Sequence, residues 1–289
     1  MEMLKKLFSP ITGTINYIQN HFKAMLFILL LIIIFAPASE EELSPNNLQK
    51  IALVGAIMDS SEVVEQINKA AKDDAIKGVL LSVDSPGGAV APSVEIAYAI
   101  KRLHEKKPVV VYAKGTLASG SYYASIWADK IIANPGSMVG SIGVIMQGAD
   151  LSGIMNKIGI KSQVVKAGKY KQIGTPDREW TPYEKNELNK VIQGIYNMFV
   201  CDVANARKLD IKKKDNFANA HIFTAAQAKD VGLIDKVGVA HDAKEELIKL
   251  SGVSHPVWNK EDKFDKFIKK LAATTAITLH TYFPNLSLR

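Results

Sequence analysis

The pattern of hydrophobic and polar positions divides most of the chain into alternating short and long elements. Unbroken apolar runs, such as residues 78–83 and 109–112, are typical of strands buried on both faces of a parallel sheet. Between these runs, apolar residues recur three or four positions apart, as in residues 63–71, which predicts amphipathic helices. Repeated strand–helix units predict an α/β fold with a parallel sheet and right-handed crossovers.

The individual elements follow from these runs and from the residues that separate them. Capping boxes mark two helix starts, Thr181 with Glu184 and Thr224 with Gln227, because each pair can satisfy backbone N–H groups of the first turn. The predicted helices are 61–71, 93–106, one that opens at residue 120, one that precedes the strand ending at residue 166, 181–209 and 225–232. The predicted strands are 51–57, 78–83, 109–112, 130–133, 143–146, a segment ending at 166, and 233–237.

An apolar run at residues 24–36 follows a segment that contains Lys5, Lys6 and Lys23. It is shorter than the roughly 20 residues of a typical membrane-spanning helix. It is either the core of a cleaved signal peptide or an uncleaved signal anchor extended by its flanking residues. We favour the anchor, because a long segment precedes the run and Pro37 lies inside the cleavage-like motif. Either alternative sends the rest of the chain across the membrane.

These features divide the chain into five parts. They are a cytoplasmic N-terminal segment (1–23), a transmembrane signal anchor (24–38), a linker (39–49), a globular domain (50–260) and a C-terminal tail (261–289). The sequence assigns no definite role to the tail.

Composition limits the classes of function. The chain has 289 residues, 47% of them hydrophobic and 22% charged, which suffices for a substantial core. Its net charge of +7 is spread over several segments without any nucleic-acid-binding motif, so we expect no nucleic-acid partner. The single cysteine, Cys201, cannot form an intrachain disulfide, and we expect it to be buried.

No metal or cofactor motif is present in the sequence. The six histidines are scattered, no HExxH or paired CxxC occurs, and the phosphate-binding loop GxxxxGK[ST] is missing. The chain also lacks GxSxG, so a nucleophile elbow of the α/β-hydrolase kind is not indicated. We therefore expect neither a metal site nor a cofactor.

The segment Ala118-Ser-Gly-Ser-Tyr-Tyr-Ala-Ser125 carries the main chemical signal. It follows a predicted buried strand and places Ser119 where a helix begins. Backbone N–H groups at such a turn can stabilise a negatively charged oxygen. A helix-capping turn without catalytic function is the alternative for this segment alone.

Three further loops contain residues suited to the same chemistry. The loop Asp84-Ser-Pro-Gly-Gly88 lies between a strand and a helix, where its N–H groups can line an oxyanion hole. The loop 139–143 places Ser141 between two glycines. The loop 167–172 contains Lys169 and Lys171, and a lysine can act as general base where burial or positive neighbours lower its pKa.

In this order, the motifs SPGG, ASGSYYAS, VGSIGV and GKYKQIGTPDRE resemble those of the signal peptide peptidase A family in its single-domain form. The resemblance covers residues 48–250. It implies a membrane-anchored serine protease with a Ser-Lys dyad and a fold related to the Clp protease and crotonase group. It also implies that the globular domain (50–260) is the peptidase domain.

The resemblance assigns a role to five residues. It implies that Ser119 is the nucleophile and that Lys171 is the general base, with Lys169 a bystander. It implies that Ser141 orients the lysine, and that the amides of Gly88 and Gly120 form the oxyanion hole. Ser121, Gln172 and Asp84 depart from the residues usual in the family, which leaves the dyad intact and affects loop conformation and substrate preference.

The resemblance also implies a setting for the enzyme. We expect a homo-octamer in which neighbouring subunits contribute the serine and the lysine, attached to the inner membrane by one span. The peptidase domain is then on the periplasmic side, where hydrophobic, signal-peptide-like substrates leave the bilayer. The alternatives are an inert membrane scaffold or adaptor and a crotonase-type enzyme acting on acyl-CoA.

Overall fold

The computed structural model describes residues 17, 19–28 and 45–259. The chain separates into two compact units, Met1–Pro45 and Asn46–Arg289. All of the loops that carry candidate site residues lie in the second unit.

In the first unit, residues 19–28 are helical and exposed. None of the helices among the described residues has the length and the apolar character needed to cross a membrane. The predicted anchor extends through residues 29–38, and the predicted tail spans residues 261–289. Both of these ranges lie outside the described residues.

A parallel sheet forms the centre of the second unit. Its main path has the order β1-β2-β3-β4-β7, and β5 pairs in parallel with the second half of β3. The strands are β1 Leu48–Val54, β2 Gly78–Ser85, β3 Val109–Ala118, β4 Lys130–Ala133, β5 Met138–Gly140, β6 Ile222–Thr224 and β7 Lys236–Val237. Because β3 pairs with β4 along its first half and β5 along its second, its C-terminal end lies well inside the sheet.

Helices connect the strands and cover both faces of the sheet. They are α1 Ser61–Lys72, α2 Val90–His104, α3 Gly120–Ser125, α4 Ser152–Lys157, α5 Pro182–Arg207, α6 Ala225–Asp230 and α7 Ala240–Ser251, with a 3-10 helix at Ile211–Asn216. The predicted α/β architecture is therefore confirmed, and both predicted capping boxes are present, at the starts of α5 and α6.

Alternate residues of the strands pack on opposite faces of the sheet, as their apolar runs predict. In β2, Val79, Leu81 and Val83 belong to the larger core with α1 and α2, whereas Leu80 faces the smaller core. Leu247 of α7 closes the smaller core. Burial on both faces holds the central strands, and thus the ends of β2 and β3, in fixed positions.

Two predicted strands are wrong, namely residues 143–146 and the segment ending at residue 166. Neither forms strand pairing in the structure. Their apolar side chains predicted burial, but Ile145 is 82% exposed and Val165 is fully exposed. A strand needs a hydrogen-bonded neighbour, and neither segment has one among the described residues.

Two further expectations are corrected by the structure. The sheet was predicted to be parallel, but it also contains an unpredicted strand, β6, which runs antiparallel to β5. It is only three residues long, which is too short to give a hydrophobic period. Cys201 lies exposed on α5 and not in the core, because it occupies the outer face of an amphipathic helix.

Candidate active site

Ser119 occupies the turn between the central strand β3 and helix α3. Its backbone has φ 53° and ψ −124°, outside the regions that residues other than glycine usually adopt. The N–H of Ser119 donates a hydrogen bond to the carbonyl of Gly140 on β5 at 2.8 Å. A strained backbone persists only where its surroundings impose it, and such residues concentrate at functional sites.

The neighbouring Ser121 fixes this turn from inside the protein. Its buried hydroxyl accepts a hydrogen bond from the N–H of Ala118 at 2.9 Å and donates one to the carbonyl of Ser85 at 2.7 Å. The departure from the family pattern at position 121 therefore ties the serine turn to the end of β2. This role depends on three-dimensional proximity, which the motif did not reveal.

Gly88 lies opposite the serine turn and is held by backbone pairing with Ile57. The N–H of Ile57 donates to the carbonyl of Gly87 at 2.9 Å, and the N–H of Ala89 donates to the carbonyl of Ile57 at 2.8 Å. A Cβ at Gly88 would overlap the Ile57 backbone, so no larger residue fits in this conformation.

The amides of Gly88 and Gly120 lie side by side. A Cβ placed on Gly120 would lie 3.3 Å from the nitrogen of Gly88 and would overlap the hydroxyl of Ser93. Neither N–H donates a backbone hydrogen bond to another described residue. Two N–H groups near Ser119 are thus without an acceptor among the described residues, which is a condition for the predicted oxyanion hole.

A largely apolar pocket opens beside these groups. About 490 Å³ of space not filled by protein atoms lies within it, part of which is open solvent. Its lining consists of Gly88, Val90, Ser93, Val94, Ser119, Gly120, Tyr123, Gly143, Val144, Ile145, Ile195, Met198 and Phe199. Ile195, Met198 and Phe199 come from α5, and the sequence motifs did not assign them to the site.

Tyr123 forms one wall of the pocket and is fixed by two contacts. Its ring packs edge-to-face on Phe199 with centroids 4.9 Å apart, and its hydroxyl donates to the carboxylate of Asp202. Burial, together with the hydrogen bond to Asp202, raises the pKa of Tyr123 well above its usual value. The hydroxyl of Tyr123 therefore stays protonated and keeps its hydrogen bond to Asp202. Together with the contact to Phe199, this bond fixes the position of the ring.

The structure brings together some, but not all, of the predicted site residues. Ser119, Gly88 and Gly120 line the same pocket. Ser141 follows β5 with φ 52°, and its N–H donates to the carbonyl of His221 at 2.7 Å, but it does not line the pocket.

Lys171 lies elsewhere on the chain. It is exposed in a turn whose N–H groups donate hydrogen bonds to carbonyls of the same turn. It lines a second cavity with Lys166, Gln172 and Asp177. This second cavity shares no lining residue with the pocket of Ser119. In a single chain, Ser119 and Lys171, the two members of the predicted dyad, therefore line separate cavities.

Among residues 17, 19–28 and 45–259, no group of three or more histidine, cysteine or acidic side chains is placed to hold a metal ion. The chemically distinctive groups of the site are therefore a hydroxyl, two amides and an apolar pocket.

An α/β fold with a strained serine beside two backbone amides is typical of serine hydrolases, and comparison with known proteins places the chain in a peptidase family. The profile of Peptidase family S49 matches residues 101–254, which is more than half of the chain. The chain belongs to this family, and its predicted membership of the signal peptide peptidase A group is confirmed.

Three relatives illustrate the similarity. The chain is 45% identical to "Putative protease MJ0651" of Methanocaldococcus jannaschii over 68% of its own length and 64% of that protein. It is 33% identical to "Putative signal peptide peptidase SppA" of Enterococcus faecium, over 73% and 65% of the two chains. It is 31% identical to "Serine protease SPPA, chloroplastic" of Arabidopsis thaliana, over 64% and 27%. The chain thus spans less than two thirds of each of these relatives.

Proposed function

We propose that this chain is a membrane-anchored serine endopeptidase in which Ser119 is the nucleophile and Lys171 the general base. The observation that carries the proposal is the strained turn at Ser119, which opens onto an apolar pocket beside the amides of Gly88 and Gly120. Membership of a peptidase family supports peptide bonds as the substrate.

In the proposed reaction, the neutral amine of Lys171 accepts the proton of the Ser119 hydroxyl while the oxygen attacks the substrate carbonyl. The N–H groups of Gly88 and Gly120 stabilise the negative oxygen of the tetrahedral intermediate. The resulting ammonium protonates the leaving amine, and water then hydrolyses the acyl-serine ester. Ser141 orients the lysine during these proton transfers.

We propose that Lys171 reaches Ser119 of a neighbouring copy within a homo-octamer. The separation of the two cavities in one chain supports this arrangement. So does the surface of residues 145–165, which exposes several large apolar side chains without packing them in this chain. These side chains include Ile145, Leu151, Ile154, Ile158, Ile160, Val164 and Val165. Contiguous exposed apolar surface is typical of protein interfaces.

The substrates are proposed to be hydrophobic peptides, such as cleaved signal peptides and misfolded exported proteins. The apolar lining of the pocket favours an apolar substrate side chain beside the scissile bond. The proposed setting has the anchor at residues 24–38 in the inner membrane, the linker at 39–49, the peptidase domain at 50–260 on the periplasmic side and the tail at 261–289. The proposed fold relationship is to the Clp protease and crotonase group.

The experiment is cleavage of a hydrophobic fluorogenic peptide by the full chain in detergent. We expect Ser119→Ala and Lys171→Met each to lower kcat by at least about 100-fold, because they remove the nucleophile and the base. Lys169→Met is the matched control, since Lys169 lies in the same loop and packs over the ring of Tyr183 at 4.8 Å. Full cleavage by Ser119→Ala or Lys171→Met, with the assembly intact, would contradict the proposal.

A further inference from the structure

A bidentate ion pair joins the loop of Lys171 to helix α5. Arg178 donates one hydrogen bond to each carboxylate oxygen of Glu184, at 2.9 Å and 2.6 Å. The Glu184 side chain is 0% exposed and that of Arg178 is 28% exposed, so solvent screens the pair poorly. Two parallel charge-assisted hydrogen bonds fix the plane of the guanidinium as well as its position.

Glu184 is itself fixed at the first turn of α5. Its carboxylate also accepts hydrogen bonds from the N–H and the hydroxyl of Thr181, at 2.9 Å and 2.8 Å. The hydrogen bonds from Arg178 and Thr181 lower the pKa of Glu184 to about 2. The carboxylate is therefore ionised throughout the neutral range and gives Arg178 a rigid support.

The same guanidinium reaches the backbone next to Lys171. Arg178 donates to the carbonyl of Gln172 at 3.3 Å, and the side-chain amide of Gln172 donates to Asp177 at 3.3 Å. On the other side, the N–H of Lys171 donates to the carbonyl of Gly168 at 3.2 Å. The backbone of Lys171 is thus held on both sides.

The side chain of Lys171 has no comparable restraint within the described chain. Its ammonium makes no ion pair or hydrogen bond to another described residue, and the charged groups that line its cavity are Lys166 and Asp177. Lys169 packs over aromatic rings of Tyr170 and Tyr183 instead. The backbone of Lys171 therefore sets the position of its side chain, and the hydrogen bond from Arg178 to the carbonyl of Gln172 helps to hold that backbone.

We propose that Arg178, supported by Glu184, is a positioning residue that holds the backbone of Lys171 for proton transfer. This inference rests on the proposed function, because it assumes that Lys171 is the general base. It goes beyond that function by assigning a role to two residues that contact neither Ser119 nor its pocket. A displacement of about 1 Å in a catalytic group can lower a rate about 100-fold.

The test measures kcat, KM, the pH profile of kcat/KM and the thermal midpoint of the full-length protein, using the hydrophobic peptide. The test variants are Arg178→Met and Glu184→Gln, with Lys171→Met as the reference for loss of the base. Lys185→Met is the local control, because it removes an exposed ion pair to Glu179 in the same segment. Arg207→Met is the structural control, because it removes a pair to Asp235 in which the arginine is 8% exposed.

We expect Arg178→Met to lower kcat about 100-fold with KM changed less than about twofold, and Glu184→Gln to lower it about tenfold. We also expect the pH profile of kcat/KM to change in Arg178→Met, since a displaced Lys171 side chain no longer has the same surroundings in the assembled site. Neither control variant should move this profile, because neither pair contacts the backbone of Lys171.

Two outcomes would overturn the inference. One is a kcat within about twofold of wild type in Arg178→Met. The other is an unchanged pH profile of kcat/KM in Arg178→Met, together with a loss of activity that only parallels its loss of thermal stability, as expected of Arg207→Met. A full rate in Lys171→Met would instead reject the dyad itself, so the failure of the proposed function is distinguishable from the failure of this inference.

Discussion

Among single residues, Ser121 has the closest connection to the conformation of Ser119. Its hydroxyl accepts a hydrogen bond from the N–H of Ala118, the last residue of β3, and donates one to the carbonyl of Ser85, the last residue of β2. Both hydrogen bonds are buried. The strained backbone of Ser119 is therefore attached to two adjacent strands at the point where they end. A side chain two positions from the nucleophile thereby contributes to the shape of the site without contacting a substrate.

This contact predicts a specific cost for Ser121→Ala. The change leaves the N–H of Ala118 without its buried acceptor, which should lower the free energy of unfolding by about 1–3 kcal/mol. We also expect kcat to fall, because the turn at Ser119 loses its support. Urea denaturation and peptide cleavage measure the two effects.

Ser125→Ala is the matched control for this prediction. Ser125 is buried in the same helix, but its hydroxyl only donates to the carbonyl of Ser121, which is one turn earlier. Its removal should cost less and leave kcat near the wild-type value. Equal losses of stability and activity in the two variants would contradict the role assigned to Ser121.

The sequence could predict the individual site residues better than their arrangement. Small residues after predicted strands pointed to Ser119, Gly88 and Gly120, and these three line one pocket because parallel strands end at the same edge of the sheet. Lys171 lies in a long loop whose path no local pattern specifies. Its cavity could therefore be found only from the structure.

Among the elements, those with strong local signals agree with the sequence prediction. Strand β4 has the predicted bounds, and α5 begins at Pro182 after the capping residue Thr181. The predicted strand at 143–146 failed because hydrophobicity does not specify what covers a segment. Ile145 is apolar but exposed, so the apolar pattern of residues 143–146 marks a surface of this chain and not its core.

The start of α5 predicts sensitivity to acid. The pKa of Glu184 falls from its ordinary value of 4.5 to about 2 in the folded state, through hydrogen bonds from Arg178 and Thr181. A depressed carboxyl pKa stabilises the fold fully above the ordinary value and loses this effect as pH falls towards the folded value. We therefore expect the free energy of unfolding to decline between pH 4.5 and about 2, as followed by urea denaturation at several pH values.

Glu184→Gln should be less stable than wild type at pH 7 and should lack this part of the acid dependence. Glu65→Gln is the control, because Glu65 pairs with Lys69 on an exposed helix surface where such pairs contribute little. Identical pH dependence of unfolding in wild type and Glu184→Gln would show that this carboxylate does not stabilise the start of α5.

For the molecule as a whole, no single cavity among the described residues contains all of the proposed catalytic groups. Ser119 and its amides face one pocket, and Lys171 faces another. The apolar surface of residues 145–165 lies between the two loops in sequence and stays uncovered in this chain. These features agree with the proposal that a neighbouring copy completes each site.

This proposal predicts complementation between two inactive variants. In a closed ring with head-to-tail contacts, each site would combine the serine of one copy with the lysine of the next. Co-expression of Ser119→Ala with Lys171→Met should therefore restore activity, since some sites receive both intact groups. With equal amounts and random assembly, about a quarter of the sites should be complete. Cleavage of the hydrophobic peptide by the purified mixed assembly measures this fraction.

The control mixes Ser119→Ala with the double variant Ser119→Ala/Lys171→Met, in which every copy lacks the nucleophile. This assembly should stay inactive, so any activity in it would indicate a contaminating protease. If the first mixture forms the same assembly and remains inactive, the serine and the lysine of a site come from one chain. In that case, the loop of Lys171 would have to leave its own cavity and reach the pocket of Ser119 during catalysis, and crosslinking between the two loops would then occur within single copies.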